Sequence, residues 1–178
     1  AIYTAATKKV RPYLPDRRMV PVEMTPGRCL VAFTAFEYRK TDIDPYNEFS
    51  ISVILSFGKR QVPGLTVLGQ MMRRCYHAYV WHLPVTTEIA RYGGVEHYGY
   101  PKFIGGIEFS REGAGIRCVL TEKKEHILTL AGPALAAKPG KITRYKTYPV
   151  KDDITLVSNV LTLHHQYAEQ RNPKGVSL

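Results

Sequence analysis

The segment Tyr46-Asn47-Glu48-Phe49-Ser50-Ile51-Ser52-Val53-Ile54-Leu55-Ser56-Phe57 carries the clearest pattern in the chain. Phe49, Ile51, Val53, Leu55 and Phe57 share one parity, and Glu48, Ser50, Ser52 and Ser56 share the other, with Ile54 as the exception. Only an extended backbone makes a period of two useful, so the segment is predicted as a strand with Glu48 on a face of small hydroxyls. Working outward, Cys29 to Arg39 and Cys75 to His82 are apolar and aromatic on both parities, as expected of strands covered on both sides or curved around a filled interior. Ile107 to Arg111 and Ile116 to Thr121 flank Glu112-Gly113-Ala114-Gly115, which reads as a hairpin, and His126 to Leu130 continues it as a meander.

Helical signals are few. Thr86 or Thr87, followed by Glu88-Ile89-Ala90-Arg91 and then Gly93-Gly94, reads as a short capped helix with a glycine stop. Ile154 to Tyr167 offers a helical face through Leu156, Val157, Val160, Leu161 and His164, but its Val, Ile and Thr content favours a strand, and a strand is expected there. Lys138 to Gly140 reads as a loop between two sub-lobes, and no repeat or long linker divides the chain. The expectation is one mainly β domain over residues 1–178, with strands outnumbering helices.

Composition excludes several classes. The 178 residues are 44% hydrophobic and 22% charged, and they contain no apolar run long enough to cross a membrane as a helix, so no membrane partner is expected. Cys29, Cys75 and Cys118 form no CxxC and cannot all pair, which points to a reducing compartment, the cytoplasm. The net charge of +10 raises nucleic acid as a partner, but the cations lie in scattered pairs such as Lys8-Lys9, Arg17-Arg18, Arg73-Arg74 and Lys123-Lys124. Spread in this way they read as a solvated surface that also concentrates small anions, and no nucleic-acid partner is expected. The first residues, Ala-Ile-Tyr-Thr, lack an initiator Met and a signal pattern, so a processed chain or part of a longer one is expected.

The chemistry concentrates in Gly94-Val95-Glu96-His97-Tyr98-Gly99-Tyr100-Pro101-Lys102-Phe103. Tyr98, Tyr100, Phe103 and Ile104 surround Lys102 with low-polarity groups, and Pro101 stiffens the backbone before it. Two readings stay open from the residues alone. A poorly solvated amine is more often neutral and can attack a carbonyl carbon, whereas a lysine on an aromatic patch can instead carry its ammonium out to water.

Glu96-x-x-Gly99-Tyr100-Pro101-Lys102 resembles the active-lysine motif of acetoacetate decarboxylases, and Tyr46-Asn47-Glu48 is similar to the Tyr-x-Glu segment that precedes it in that family. Weaker likenesses extend over most of the chain: Leu30-Val31-Ala32-Phe33 to the strand that opens the family's sheet, Gly105 to Leu130 to the strands after the lysine, and Ile142 to Leu163 to a later pair. The family's final strands would fall after Leu178. The resemblance implies a cone-like, largely antiparallel β-barrel enclosing a cavity, assembled into homo-oligomers, with Lys102 forming an imine with a small oxo acid and no cofactor. Acetoacetate decarboxylase is itself a standard example of a lysine activated by burial or a cationic neighbour. Glu48 matches a family carboxylate that faces the lysine and moves protons, and Tyr98, Tyr100, Phe103 and Thr34 become candidate substrate contacts. Glu96, Gly99 and Pro101 are implied to shape the motif, with Glu96 anchoring the loop by accepting backbone hydrogen bonds or pairing with an arginine.

Three departures bear on the reaction. Phe103 stands where the decarboxylases carry a second lysine, so any activation of Lys102 must come from desolvation. Thr34 falls where the family places another carboxylate, with Glu37 on the opposite strand face. The arginine expected to meet the substrate carboxylate falls near Thr4. These losses point away from acetoacetate itself and toward decarboxylation, aldol cleavage or condensation, or dehydration of another oxo acid. The alternative is a barrel that binds a small molecule without chemistry. Elsewhere, Cys75-x-His77 and His164-His165 lack further ligands at metal-site spacing, so no metal is expected. Cys118 reads as buried, and Met71, Met72, Tyr76, Tyr79 and Trp81 read as core or as the lining of an apolar cavity.

Overall fold

The computed structural model describes residues 1–134, 138–139, 142–162 and 166–167. In chain order the strands are β1 (Ile2–Ala6), β2 (Met19–Pro21), β3 (Glu23–Thr25), β4 (Arg28–Tyr38), β5 (Tyr46–Phe57), β6 (Cys75–His82), β7 (Gly106–Glu112), β8 (Gly115–Glu122) and β9 (Glu125–Pro133). Shorter ones follow: β10 (Lys138–Pro139), β11 (Thr143–Thr147), β12 (Val150–Lys151), β13 (Ile154–Thr155), β14 (Ser158–Thr162) and β15 (Gln166–Tyr167). Among the described residues three helices, α1 (Thr7–Val10), α2 (Leu65–Arg73) and α3 (Glu88–Tyr98), interrupt them, together with a 3-10 turn at Arg11–Tyr13. Strand predominates, as expected.

Among the described residues the main sheet has eight strands, ordered β1-β4-β5-β6-β11-β14, with β2 added to β5 and β3 to β4. Every pairing in it is antiparallel except β6 with β11. A separate meander, β7-β8-β9, holds the predicted hairpin and its continuation. Among the described residues the main sheet follows an open path and does not close into a barrel. The Ile154 to Tyr167 stretch forms β13, β14 and β15, with Leu156 and Val157 joining the first two outside any strand, while His164 and His165 lie outside the described residues. Lys138 and Pro139, expected as loop, form β10 against β15, and Gly140 lies outside the described residues.

The alternation in β5 resolves into two buried faces. Its odd residues enter two cores. Val53 and Leu55 join Val10, Leu14, Met19, Cys29, Val31 and Tyr148, while Phe49 joins Ile107, Cys118 and Leu120 of the meander. Met19, Phe49 and Leu55 are completely buried, each contributing about 1.5–3 kcal/mol of hydrophobic stabilisation. The even face is buried too: Glu48, Ser50, Ser52 and Ser56 are each less than a tenth exposed. Ser50 and Ser52 satisfy one another through a 2.7 Å hydroxyl contact, and Ile54 packs with Val22, Leu30, Val67 and Ala78. The hydroxyl row is therefore an interior surface and does not face water.

Two helical features differ from expectation. α3 runs through Gly93-Gly94 and ends four residues after Gly94. Its stop is Gly99, whose left-handed φ of 67° lets the Gly99 and Tyr100 amides reach the carbonyls of Val95 and Gly94. α2 has no clear signal in the sequence because its pattern is inverted. Leu65, Leu68, Met71 and Met72 face solvent, and the side chains it buries are Val67 and Gln70. Gln70 is polar but occupied, donating to the Leu55 carbonyl and accepting from the His77 amide.

Candidate active site

The sheet continues beyond β5 through two short bridges. Glu48 pairs with Val85, and Val85 pairs with Ile104. Backbone hydrogen bonds extend the contact: Phe49 N–H to Pro84 O, Val85 N–H to Phe103 O, Gly105 N–H to Val85 O and Leu83 N–H to Pro101 O. Directly opposed residues share a face, and so do residues two apart on a strand. Lys102, two before Ile104, is thereby placed on the face of Glu48.

Lys102 Nζ donates to Glu48 Oε2 at 2.7 Å, and the two side chains are only 10% and 9% exposed. The segment before Lys102 is stiff: its amide bonds the Tyr100 carbonyl at 2.8 Å across Pro101, a three-residue turn that suits proline's fixed φ. The stem lies against α3 at Gly94. The Tyr46 ring centroid stands 5.8 Å from Nζ, and the Tyr38 hydroxyl donates to Glu48 Oε1 over a long 3.4 Å. Burial, reinforced by the Glu48 charge, pushes both phenols up, Tyr46 to about 12, so both remain protonated donors beside the ion pair at neutral pH.

The remaining predicted residues divide. Tyr100 crosses the same face to β11, where its hydroxyl meets Thr147 Oγ1 at 2.7 Å. Thr34 sits opposite Ser50 and next to the Phe36–Glu48 pair, sharing their face, and is exposed. Phe103 turns away from Lys102 and meets His82 edge-on at 6.4 Å. Tyr98 is 57% exposed at the end of α3, touching Tyr100 with ring centroids 6.3 Å apart. Glu96 is exposed, and Lys151 meets both its carboxylate, at 3.5 Å, and its backbone carbonyl. Its ion pair is thus with a lysine and not with the expected arginine. Glu37 pairs with Arg39 on the opposite face of β4, and Thr4 receives the Arg28 guanidinium at 2.9 Å. A cleft of about 350 Å³ between α3, the 99–101 turn and β12 includes Gly99, Tyr100 and Pro101 in its lining but neither Lys102 nor Glu48.

Of the residues read as core or cavity lining, Tyr79 packs against the first core, whereas Met71 and Met72 lie on the solvent face of α2. Tyr76 stacks on Tyr145 and Trp81 on Tyr13. His77, half of the Cys75-x-His77 pair, bonds the Tyr148 hydroxyl through Nδ1 at 2.6 Å. Cys118 is buried, which pushes its thiol up to about 11. Gly94 is the site residue that sequence reading assigned to the glycine stop of a short helix. Two consecutive glycines before a lysine motif were the available signal, but which of them touches the lysine depends on tertiary packing.

The sequence model of the acetoacetate decarboxylase family matches residues 1–156 of the 178. The chain belongs to the acetoacetate decarboxylase family. No curated protein matches its sequence. Among solved structures, one from structural studies of acetoacetate decarboxylase matches at TM-score 0.62 and 13% identity, covering 99% of this chain and 59% of its own. The acetoacetate decarboxylase of Legionella pneumophila matches at 0.60 and 14%, covering 90% of this chain and 60% of its own. The enduracididine biosynthesis enzyme MppR, complexed with pyruvate, matches at 0.58 and 14%, covering 90% and 72%. This chain spans about three fifths of the first two structures, and at these identities the likeness is one of fold.

Proposed function

We propose that this member of the acetoacetate decarboxylase family is a Schiff-base-forming lyase that acts on a small oxo acid through Lys102. The observation that carries the reading is the largely buried Lys102–Glu48 pair at 2.7 Å. An imine forms only from a neutral amine. Glu48 takes one proton from the ammonium, the amine adds to the substrate ketone, and the Glu48 carboxyl returns the proton to the carbinolamine hydroxyl as water leaves. The protonated imine then accepts the electron pair of a breaking bond to the adjacent carbon, releasing carbon dioxide from a carboxylate, or an aldehyde whose hydroxyl proton passes to the Glu48 carboxylate, and leaving an enamine. Protonation of the enamine carbon and hydrolysis release the product and restore Lys102. Thr34 and Tyr100, on the same face, are the proposed substrate contacts; Phe103 and Tyr98 point elsewhere in this structure and touch substrate only if the site is completed around them. Closure of the sheet into a cone around Lys102 and assembly into a homo-oligomer belong to the same reading, supported by family membership.

The test is reductive trapping. The protein is incubated with pyruvate, acetoacetate or bulkier 2-oxo acids and borohydride, and peptides are mapped by mass. An adduct on Lys102 is expected, and it disappears in Lys102→Arg, which keeps a cation for Glu48 but cannot form the imine. Absence of an adduct with every oxo acid overturns the lyase reading. A ligand retained through purification with Lys102 unmodified, and no turnover, selects a binding barrel instead.

A further inference from the structure

Glycine inside a helix costs about 1 kcal/mol relative to alanine, and α3 contains two in succession. Their surroundings differ. A Cβ on Gly93 meets nothing within 4 Å, whereas a Cβ on buried Gly94 would stand 2.5 Å from Lys102 Cε, 3.1 Å from Cγ and closer still to Cδ. Carbon atoms do not approach one another that closely, so the aliphatic stem of Lys102 occupies a slot that exists because residue 94 has no side chain. The Gly94 carbonyl also accepts the Tyr100 amide at 3.0 Å, so the same residue holds the start of the loop that carries the lysine.

We infer that Gly94 is a positioning residue: it forms the slot that aims Lys102 Nζ at Glu48. The geometry stands by itself, and its catalytic consequence rests on the imine reading above. α3 cannot easily back away to admit a methyl group, because Ala90 is buried beneath it, Gly99 caps it and Glu96 is tied to Lys151. The lysine stem is the flexible partner. A side chain at 94 therefore swings the amine off Glu48 before it disturbs the fold.

Gly93→Ala and Gly94→Ala, one residue apart on the same helix, test this together. Two readouts are taken: competitive labelling of lysines with acetic anhydride, resolved by peptide mass across pH, and borohydride trapping with the oxo acid. Gly93→Ala is expected to match the parent chain, with Lys102 labelled far more slowly than exposed lysines. In Gly94→Ala, Lys102 labelling rises toward that of exposed lysines and trapping falls by about a hundredfold, the scale of an ångström of misplacement. Parent-like labelling and trapping in Gly94→Ala overturn the inference. Changed labelling in Gly94→Ala alone, with no trapping in any protein, supports the slot and overturns the lyase reading. Should Gly94→Ala not fold, it is compared in the Lys102→Ala background, where the colliding stem is gone. Recovery of folding there supports the slot, and equal failure overturns it.

Discussion

The buried ion pair makes a quantitative prediction. Lys102→Met keeps an unbranched stem in the Gly94 slot but leaves the Glu48 carboxylate, 9% exposed, without its cation. An exposed pair would be worth only about 0.2–1 kcal/mol, whereas removing one partner of a buried pair costs about 3–5 kcal/mol. With nine tenths of both side chains covered and two tyrosines alongside, Lys102→Met is expected near the lower end of the second range, about 3 kcal/mol, or roughly 6–12 °C in melting temperature for a chain of this size. Glu48→Gln strands the ammonium in turn. The double variant Lys102→Met/Glu48→Gln removes both charges and should be more stable than the sum of the single losses by about 2 kcal/mol. Urea denaturation at neutral pH, followed by far-ultraviolet circular dichroism with the denaturant slopes compared, completes the cycle. A coupling below about 0.5 kcal/mol would show that the pair behaves as a solvated surface contact, and the reading of a buried Lys102–Glu48 pair would then fail.

Two further outcomes follow from the same structure. Burial, followed by the charges of Lys146, Lys59 and Arg73, lowers His77 below its ordinary 6.5, so below that pH the unfolded chain takes up a proton that the folded one rejects. The His77 contribution should be level above about pH 6.5 and be lost as pH drops toward the folded value; His77→Gln should make the curve shallower, with residual slopes from His82 and, at higher pH, from the Ala1 amino group, both lowered by burial, and an unchanged slope in His77→Gln would refute the assignment. Gly99→Ala puts a side chain at φ 67° with its Cβ 2.8 Å from that of Lys151, and should lose about 1–2 kcal/mol or more in chemical denaturation, whereas parent-like stability would mean that the α3 stop is not held as described.

Much of the strand content was legible because an extended backbone has one short period, which β5 carries with Ile54 as the one exception, and because β6 is apolar and aromatic on both parities, as a strand covered on both sides must be. β6 falls at Cys75–His82, as expected, and β5 at Tyr46–Phe57. The parity rule could not say that the hydroxyl face of β5 is interior, since Ser50 and Ser52 look like solvent-facing residues until each is seen to satisfy the other. Nor could it find α2, whose apolar residues face outward, or carry α3 past Gly93-Gly94, where poor local propensity yields to packing on Lys102.

For the site, the residues alone marked Lys102 as an amine among aromatic neighbours and Glu48 as a carboxylate on a strand, and only the resemblance to a family implied that the two face one another. Their meeting lies 54 residues apart in sequence and depends on the bridges from Glu48 to Val85 and from Val85 to Ile104. Side-chain chemistry and periodicity are local properties, so the sequence alone determined which groups were available and which segments were extended. Register between distant strands, and the empty volume at Gly94 that receives the lysine, come from burying the whole sheet at once, and only the tertiary structure decided them.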